Sequence, residues 1–292
     1  MNAVVKQAYS TETGLASLPD ADSIVMGNLS FMRPQNHKAE VLSAALTGDL
    51  PEILFDTDAY AVPVSSMRYR AGHFSVDVEG FALLDHTSQV KNFYSDLEVE
   101  NRYYAEVRNL LADHFDARHV EIFDATRRSD AKGGAANPDG SRGPAGRVHV
   151  DYTQKSGPRR ATEILGEDEF ARLKKVKARI IQVNVWRPIT GPVKRAPLAL
   201  ADASTVSFDD LVPTDQIFPD RIGEIYHLKH NPAQQWYYAP EMETDEVLLI
   251  KGWDSVDDGR ARFTPHSAFD LPNADKAPPR ESIEIRTLVV IE

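Results

Sequence analysis

Arg147-Val-His-Val-Asp-Tyr-Thr153 sets an imidazole and a carboxylate two residues apart in a segment with strand-like alternation. Alternate residues of a strand face the same side, so His149 and Asp151 project together while Val148 and Val150 face the other way. That pairing supplies two of the three ligands of a 2-His-1-carboxylate site, which holds non-haem Fe(II) on one face and leaves other positions open. The third ligand must be a histidine from elsewhere in the chain.

Spacing alone does not decide the matter. With 9 His and 44 acidic residues in 292, chance yields about one or two His-x-Asp/Glu tripeptides, and three occur. His114-Phe-Asp116 falls at a helix end, where residues i and i+2 diverge. His119-Val-Glu121 reads as strand, and geometry places it only modestly behind His149-Val-Asp151. Downstream, His227 and His230 precede an Asn-Pro turn and read as surface histidines. His266, in Phe263-Thr-Pro-His-Ser-Ala-Phe269, is the candidate distal ligand. Arg280 and Arg286 lie beyond it. A planar guanidinium in that region suits the far carboxylate of a 2-oxoglutarate co-substrate, and Ser282 adds a hydroxyl. Surface ion pairs with Glu281 or Glu284 explain the same arginines equally well.

Composition narrows the field from the other side. A chain that is 42% apolar and 26% charged is an ordinary globular protein with a sizeable core. A net charge of −11 argues against a nucleic-acid partner, since phosphate binding needs a basic field. The absence of cysteine removes disulfides, Fe–S clusters, zinc-thiolate sites and thiol nucleophiles. The N-terminus lacks the apolar run of a signal peptide, and no stretch is apolar for long enough to span a bilayer. The expectation is a cytoplasmic protein with no membrane contact and a small-molecule substrate; oligomeric state is silent.

Taken in order, residues 1–60 read as an N-terminal extension packed on a main domain of residues 61–292. Lys38–Leu46 predicts a short helix. His73–Val78 and Gly80–Leu84 alternate as strands, and Val90–Asp96 and Glu98–His114 predict helices. In the second of these, Tyr103, Val107, Leu110 and Leu111 form a core-facing stripe. Lys132–Gly146, rich in Gly and Pro, reads as a mobile loop delivering the chain into the His149 strand. Gly157–Arg179 contains a helix, clearest over Glu167–Lys177. Arg179–Pro188 is a strong strand, and Asp209–Gly223 reads as loops and turns. Strands return over Glu224–Leu228, Gln235–Tyr238, Glu246–Lys251 and Ser282–Ile291. Many short strands with Pro/Gly turns argue for a mainly β sandwich or barrel with flanking helices. Tyr152, Trp186, Trp236, Tyr237 and Tyr238 suit an apolar pocket or a packed core equally.

Longer blocks add specificity. Arg142-Gly-Pro-Ala-Gly-Arg-Val-His-Val-Asp-Tyr-Thr153, Asn184–Ile189, Leu211–Asp215, Trp236–Tyr238, Glu246–Leu249, Ala261–Phe269 and Pro279–Arg286 occur in one order from about Phe74 onward. Together they resemble the hydroxylase/desaturase family that includes gibberellin desaturase-like fungal proteins and the cephamycin 7α-hydroxylase partner protein. The resemblance implies a double-stranded β-helix (jelly-roll, cupin-like) core. It also implies an Fe(II)- and 2-oxoglutarate-dependent oxygenase that uses O₂ to hydroxylate or desaturate an unactivated C–H of a secondary metabolite. Carried onto this chain, His149, Asp151 and His266 become iron ligands, and Arg280 or Arg286 holds the co-substrate, with Ser282 beside it. The alternatives are a non-catalytic partner protein and a cupin-like isomerase or lyase that dispenses with 2-oxoglutarate. At Ala125, in Phe123–Arg128, the family pattern leads one to expect a histidine.

Overall fold

The computed structural model describes residues 24–48, 50–70, 72–138, 140–272 and 274–292. Its first strands are β1 (Ile24–Met32), β2 (Ala39–Leu42), β3 (Glu52–Ile53), β4 (Thr57–Ser66) and β5 (Phe81–Asp85). After a helical region come β6 (His119–Ser129), β7 (Ala135–Asn137), β8 (Gly140–Arg142) and β9 (His149–Val150). Two helices then lead into β10 (Arg179–Pro188), β11 (Leu198–Ala201), β12 (Leu211–Ile217) and β13 (Ile222–Leu228). The chain ends with β14 (Trp236–Tyr238), β15 (Glu246–Asp254), β16 (His266–Ala268) and β17 (Glu281–Ile291).

Two sheets share these strands. The larger has the order β1-β4-β14-β11-β16-β9-β13-β12-β2-β3, the smaller β5-β15-β10-β17-β6. Neighbours that are distant in sequence, such as β9 with β16 and β10 with β17, are the mark of a jelly roll. Strand β4 crosses residue 60, and β1 to β3 are built into the same large sheet as β9 and β11 to β14.

The central strands of the small sheet show how the sequence builds two layers. Ile181, Val183 and Val185 of β10 and Ile283, Ile285 and Val289 of β17 face outward. They pack against Tyr103, Val107 and Leu111 of the helix Tyr104–Phe115 and the π-helical turn before it, the stripe expected from the sequence. Ile180, Leu288 and Val290 face the other way, in a cluster that also holds Trp253 of β15 and Ala161 and Leu173 of the two helices before β10. Trp186, Leu248 and Ile250 fill a second inner cluster with Phe81, Leu200 and Tyr237. Both faces are covered, so these strands read as near-continuous apolar runs. Trp186, Trp236, Tyr237 and Tyr238 are therefore core residues.

Several local expectations give way to tertiary pairing. Ala39–Leu42 is a strand because β12 lies parallel to it, and only Ala44–Thr47 turns into helix. Leu211–Ile217 is likewise a strand, held by β13 on one edge and β2 on the other. His73–Val78 coils instead of extending, because the Ser75 carbonyl accepts from the N–H groups of Val78, Glu79 and Gly80. Val90–Ser95 is not helical, because the Glu98 carboxylate takes the N–H groups of Lys91 and Asn92 into a turn, and helix begins only at Asp96. The glycine-rich segment contains the β7–β8 hairpin, tied to β6 where Asn137 bonds both N–H and C=O of Arg127.

One buried charge network lies at the end of β15. Lys251 is fully buried, and its ammonium donates to Asp254, Asp77 and the Ala261 carbonyl at 2.8–2.9 Å. Arg179 closes the same network from β10. A buried ammonium with every proton placed ties the β15 end to the loop carrying Asp77.

Candidate metal centre

Strand β9 is two residues long and lies between β16 and β13. His149 is paired with His266 on one side and with His227 on the other, so three imidazoles form a row on one face of the large sheet. Asp151 comes next, at the bend that ends β9. The ligand atoms of His149, Asp151 and His266 lie within 4.8 Å of one another, and His149 Nε2 is 3.4 Å from Asp151 Oδ1. No other such cluster of three occurs among the described residues.

Each candidate ligand is prepared by its neighbours. His149 Nδ1 lies 2.9 Å from the Arg147 carbonyl and His266 Nδ1 lies 3.0 Å from the Thr264 carbonyl. A carbonyl can only accept, so Nδ1 carries the proton in both rings and Nε2 keeps its lone pair for a metal. Burial and the adjacent His149 push the His266 pKa down to about 4, so the ring is neutral at pH 7. Burial opposes charge on Asp151, but the Arg286 guanidinium and His149 outweigh it and hold the carboxyl well below its ordinary range. Two neutral nitrogen donors and one anionic oxygen, with ordered outer partners, are a donor set for a divalent first-row metal.

The wall facing these ligands is the inner side of the small sheet. The inward positions of β17 run Ser282, Glu284, Arg286, with Arg280 just before the strand. Arg286 is saturated: Nε donates to Asp151 Oδ2 at 3.2 Å, Nη1 to Asp124 and Nη2 to Glu284 at 2.7 Å. Arg280 differs. It is 2% exposed, its Nη1 donates to the Ala196 carbonyl at 2.8 Å, and its Nε and Nη2 have no partner. The ring of Trp186 lies beneath it, 5.6 Å from ring centre to guanidinium carbon. Burial, then the neighbouring Arg128, push its pKa down to about 10. A desolvated cation with two N–H groups unused is half of a bidentate carboxylate pair. Ser282 is buried beside this end of the wall, its hydroxyl 3.4 Å from the Arg128 carbonyl.

The remaining sequence candidates separate clearly. His119 and Glu121 pair with each other at 3.3 Å on the exposed part of β6, with side chains 55% and 38% exposed. Asp116 ends its helix in a left-handed conformation, and His114 packs edge-on against Phe115. His230 stacks on Tyr60 with ring centres 4.0 Å apart. His227 is not at the surface as its sequence context suggested. It is 4% exposed, its Nδ1 lies 2.9 Å from the Thr214 hydroxyl, and burial pushes its pKa down to about 3. Ala125 pairs with Ile285 and packs into the outer, helix-facing cluster; its departure from the family pattern is on the opposite face of the sheet from Asp151.

Two site residues escape a motif reading altogether. Gln182 and Asn184 are buried on the inward face of β10, and Asn184 Nδ2 donates to Asp151 Oδ2 at 2.6 Å. The signal was present in Ile180-x-Gln182-x-Asn184-x-Trp186: two amides on one face of an otherwise apolar strand need buried partners.

The geometry agrees with what the chain is similar to. The model of the oxidoreductase/YMDC permease-like domain matches residues 29–290; no described helix is long and apolar enough to cross a membrane. The hydroxylase/desaturase EfuI of Hormonema carpetanum is 35% identical over 252 residues, covering 79% of this chain and 83% of that protein. The alpha-ketoglutarate-dependent dioxygenase PhiK of a fungal species is 35% identical over 80% of this chain and 84% of its own. The solved structure of the iron and alpha-ketoglutarate-dependent endoperoxidase NvfI superposes with a TM-score of 0.81 at 27% identity, covering 92% of this chain and 98% of that one; a protein of that name is known from Aspergillus novofumigatus. With the jelly roll, the convergent His149, Asp151 and His266, and this similarity along most of its length, the chain belongs to the hydroxylase/desaturase family of Fe(II)- and 2-oxoglutarate-dependent dioxygenases.

Proposed function

We propose that His149, Asp151 and His266 hold ferrous iron and that Arg280, not Arg286, binds the distal carboxylate of 2-oxoglutarate. The observation that carries this reading is the contrast between the two arginines. Every nitrogen of Arg286 is engaged by Asp151, Asp124 or Glu284, whereas Arg280 keeps Nε and Nη2 unpartnered in a buried position. Iron and 2-oxoglutarate, when bound with O₂, supply the oxidising power for attack on an unactivated C–H bond, which is chemistry that no amino-acid side chain provides.

The chain's own contribution is placement. His149 and His266 offer Nε2 because backbone carbonyls fix their tautomers. Asp151 supplies the charge. Arg280, resting on Trp186, orients the co-substrate along the inner wall, and Ser282 offers a hydroxyl to the same carboxylate. The apolar inner clusters exclude water from that end of the wall. No side-chain acid or base is required, and none is assigned.

The substrate is a small-molecule metabolite, in line with a relative from Aspergillus oryzae that is named for aspirochlorine biosynthesis. Asp124 of the edge strand β6 and Tyr152 both lie beside Arg286, and they form the polar part of the substrate-facing rim in this reading. The test is succinate formation from 2-oxoglutarate under air with added Fe(II), across a panel of fungal metabolites. Metabolite-stimulated succinate formation that disappears in His149→Ala supports the assignment. Equal formation in His149→Ala overturns it.

A further inference from the structure

We propose that Asn184, oriented by Gln182 and assisted by Arg286, is a positioning residue that restricts Asp151 to a single metal-binding oxygen. The inference rests on the ligand assignment above and concerns how one ligand is presented. Asp151 has two carboxylate oxygens of unequal standing. Oδ1 faces His149 Nε2 at 3.4 Å. Oδ2 accepts from Asn184 Nδ2 at 2.6 Å and from Arg286 Nε at 3.2 Å. Two donors occupy the directions that Oδ2 would need to reach a metal. A carboxylate held this way ligates through Oδ1 alone. A bidentate aspartate would take a fourth coordination position and leave only two of six, one short of what a chelating 2-oxo acid and O₂ require together.

The orientation of Asn184 is dictated by the charge it meets. Turning the amide over would aim its carbonyl at the Asp151 carboxylate, acceptor against anion. With Nδ2 directed at Asp151, Oδ1 points at Gln182 and accepts from its Nε2 at 2.5 Å. Gln182 is 1% exposed and Asn184 is fully buried, so neither amide has bulk water as an alternative partner. The Gln182 Oε1 has no partner among the described residues, which gives the chain of donors one direction, from Gln182 through Asn184 to Asp151.

Packing keeps that chain in place. β10 and β15 slip register between Gln182 and Val183: Gln182 opposes Trp253 while Val183 opposes Lys251, so Gly252 is the extra residue of a bulge. A Cβ at Gly252 would stand 1.8 Å from Gln182 Oε1. Glycine is needed there for close approach rather than for backbone conformation. On the other side, Asp124 and Glu284 hold the remaining nitrogens of Arg286, so its Nε stays directed at Asp151. A role limited to filling space would be met by apolar residues, as at Ile180 and Trp186 on the same face.

The test uses full-length protein loaded with Co(II), whose visible absorption reports coordination number without turnover. Asn184→Ala, Gln182→Met and Gly252→Ala are compared with the parent for the Co(II) spectrum and for 2-oxoglutarate affinity at saturating Co(II). Freed from Asn184, Asp151 chelates through both oxygens and competes with the co-substrate. The expected result is an altered Co(II) band and a 2-oxoglutarate affinity weakened by roughly ten- to a hundredfold, the range for lost outer-shell partners, largest for Asn184→Ala. Arg280→Lys serves as the contrast: weakened 2-oxoglutarate binding with an unchanged Co(II) band. Parent-like spectra and affinities in folded Asn184→Ala overturn the inference. If that variant does not fold, Gln182→Met, which conserves volume, decides by the same two readouts. A parent that binds no Co(II) overturns the ligand assignment itself, a separate outcome.

Discussion

Replacing Arg280 by methionine should move folding and co-substrate binding in opposite directions. The buried guanidinium has two N–H-bearing nitrogens without partners, and each such buried group costs about 1–3 kcal/mol. Taking about 2 kcal/mol apiece, Arg280→Met relieves roughly 4 kcal/mol. It loses the charged bond to the Ala196 carbonyl, about 2 kcal/mol, and the contact with the Trp186 ring, about 1 kcal/mol. The metal-free, co-substrate-free variant should therefore be more stable by about 1 kcal/mol, or about 2 °C in Tm. Co-substrate binding loses two charge-assisted hydrogen bonds, roughly 3–6 kcal/mol together, which weakens 2-oxoglutarate by about a hundredfold to ten-thousandfold. The assay pairs thermal unfolding in EDTA with anaerobic 2-oxoglutarate titration of the Fe(II) protein. A variant that melts below the parent, or one that binds 2-oxoglutarate as the parent does, refutes the reasoning.

Other groups give further expected outcomes. His266 and His227 have folded pKa values of about 4 and about 3, below the ordinary 6.5. The unfolded chain thus binds more protons, and stability rises with pH. Their contribution is complete above about pH 6.5 and is lost as pH falls toward 4 and below; urea unfolding of metal-free protein at pH 7.5 and 5 measures it, and His227→Gln should flatten the slope. Lys251→Met strips a partner from the fully buried Asp254 and should destabilise by about 3–5 kcal/mol, seen as a lower urea midpoint with metal affinity retained by the protein that stays folded. Ala125→His inserts a ring into the outer cluster and should cost about 1–3 kcal/mol while leaving 2-oxoglutarate affinity as it was; a changed affinity would place that position at the site after all.

The sequence was most legible where one physical signal dominated. Arg179–Pro188 and Ser282–Ile291 announce themselves as strands because both faces are buried. Leu211–Ile217 was obscured by Pro213, Thr214 and Asp215, whose strand conformation comes from the partners β13 and β2 rather than from local propensity. Lys38–Leu46 carries a helix-forming composition, yet parallel pairing with β12 converts its first half. Helix propensity is a weak prior against such a ladder.

The site divides in the same way. His149 and Asp151 were readable from strand alternation, although β9 is too short to include Asp151. His266 was one of three downstream histidines, and what distinguishes it is its pairing directly across from His149. His227 pairs from the other side, and the Asn-Pro turn that suggested exposure begins only beyond His230. Arg280 and Arg286 could not be ranked by sequence because the difference lies in which nitrogens find partners. That is a property of the inner face of β17 against β6 and β9, and no local window contains it.

Convergence of His149, Asp151 and His266 on one ferrous ion, which 2-oxoglutarate then chelates, is tested most directly by an anaerobic titration. Fe(II) and 2-oxoglutarate are added to metal-free protein, with the visible charge-transfer band as readout. The band is expected in the parent and in His119→Ala, and its absence is expected in His149→Ala and Asp151→Ala. A folded parent without the band, or an undiminished band in Asp151→Ala, would contradict the assignment.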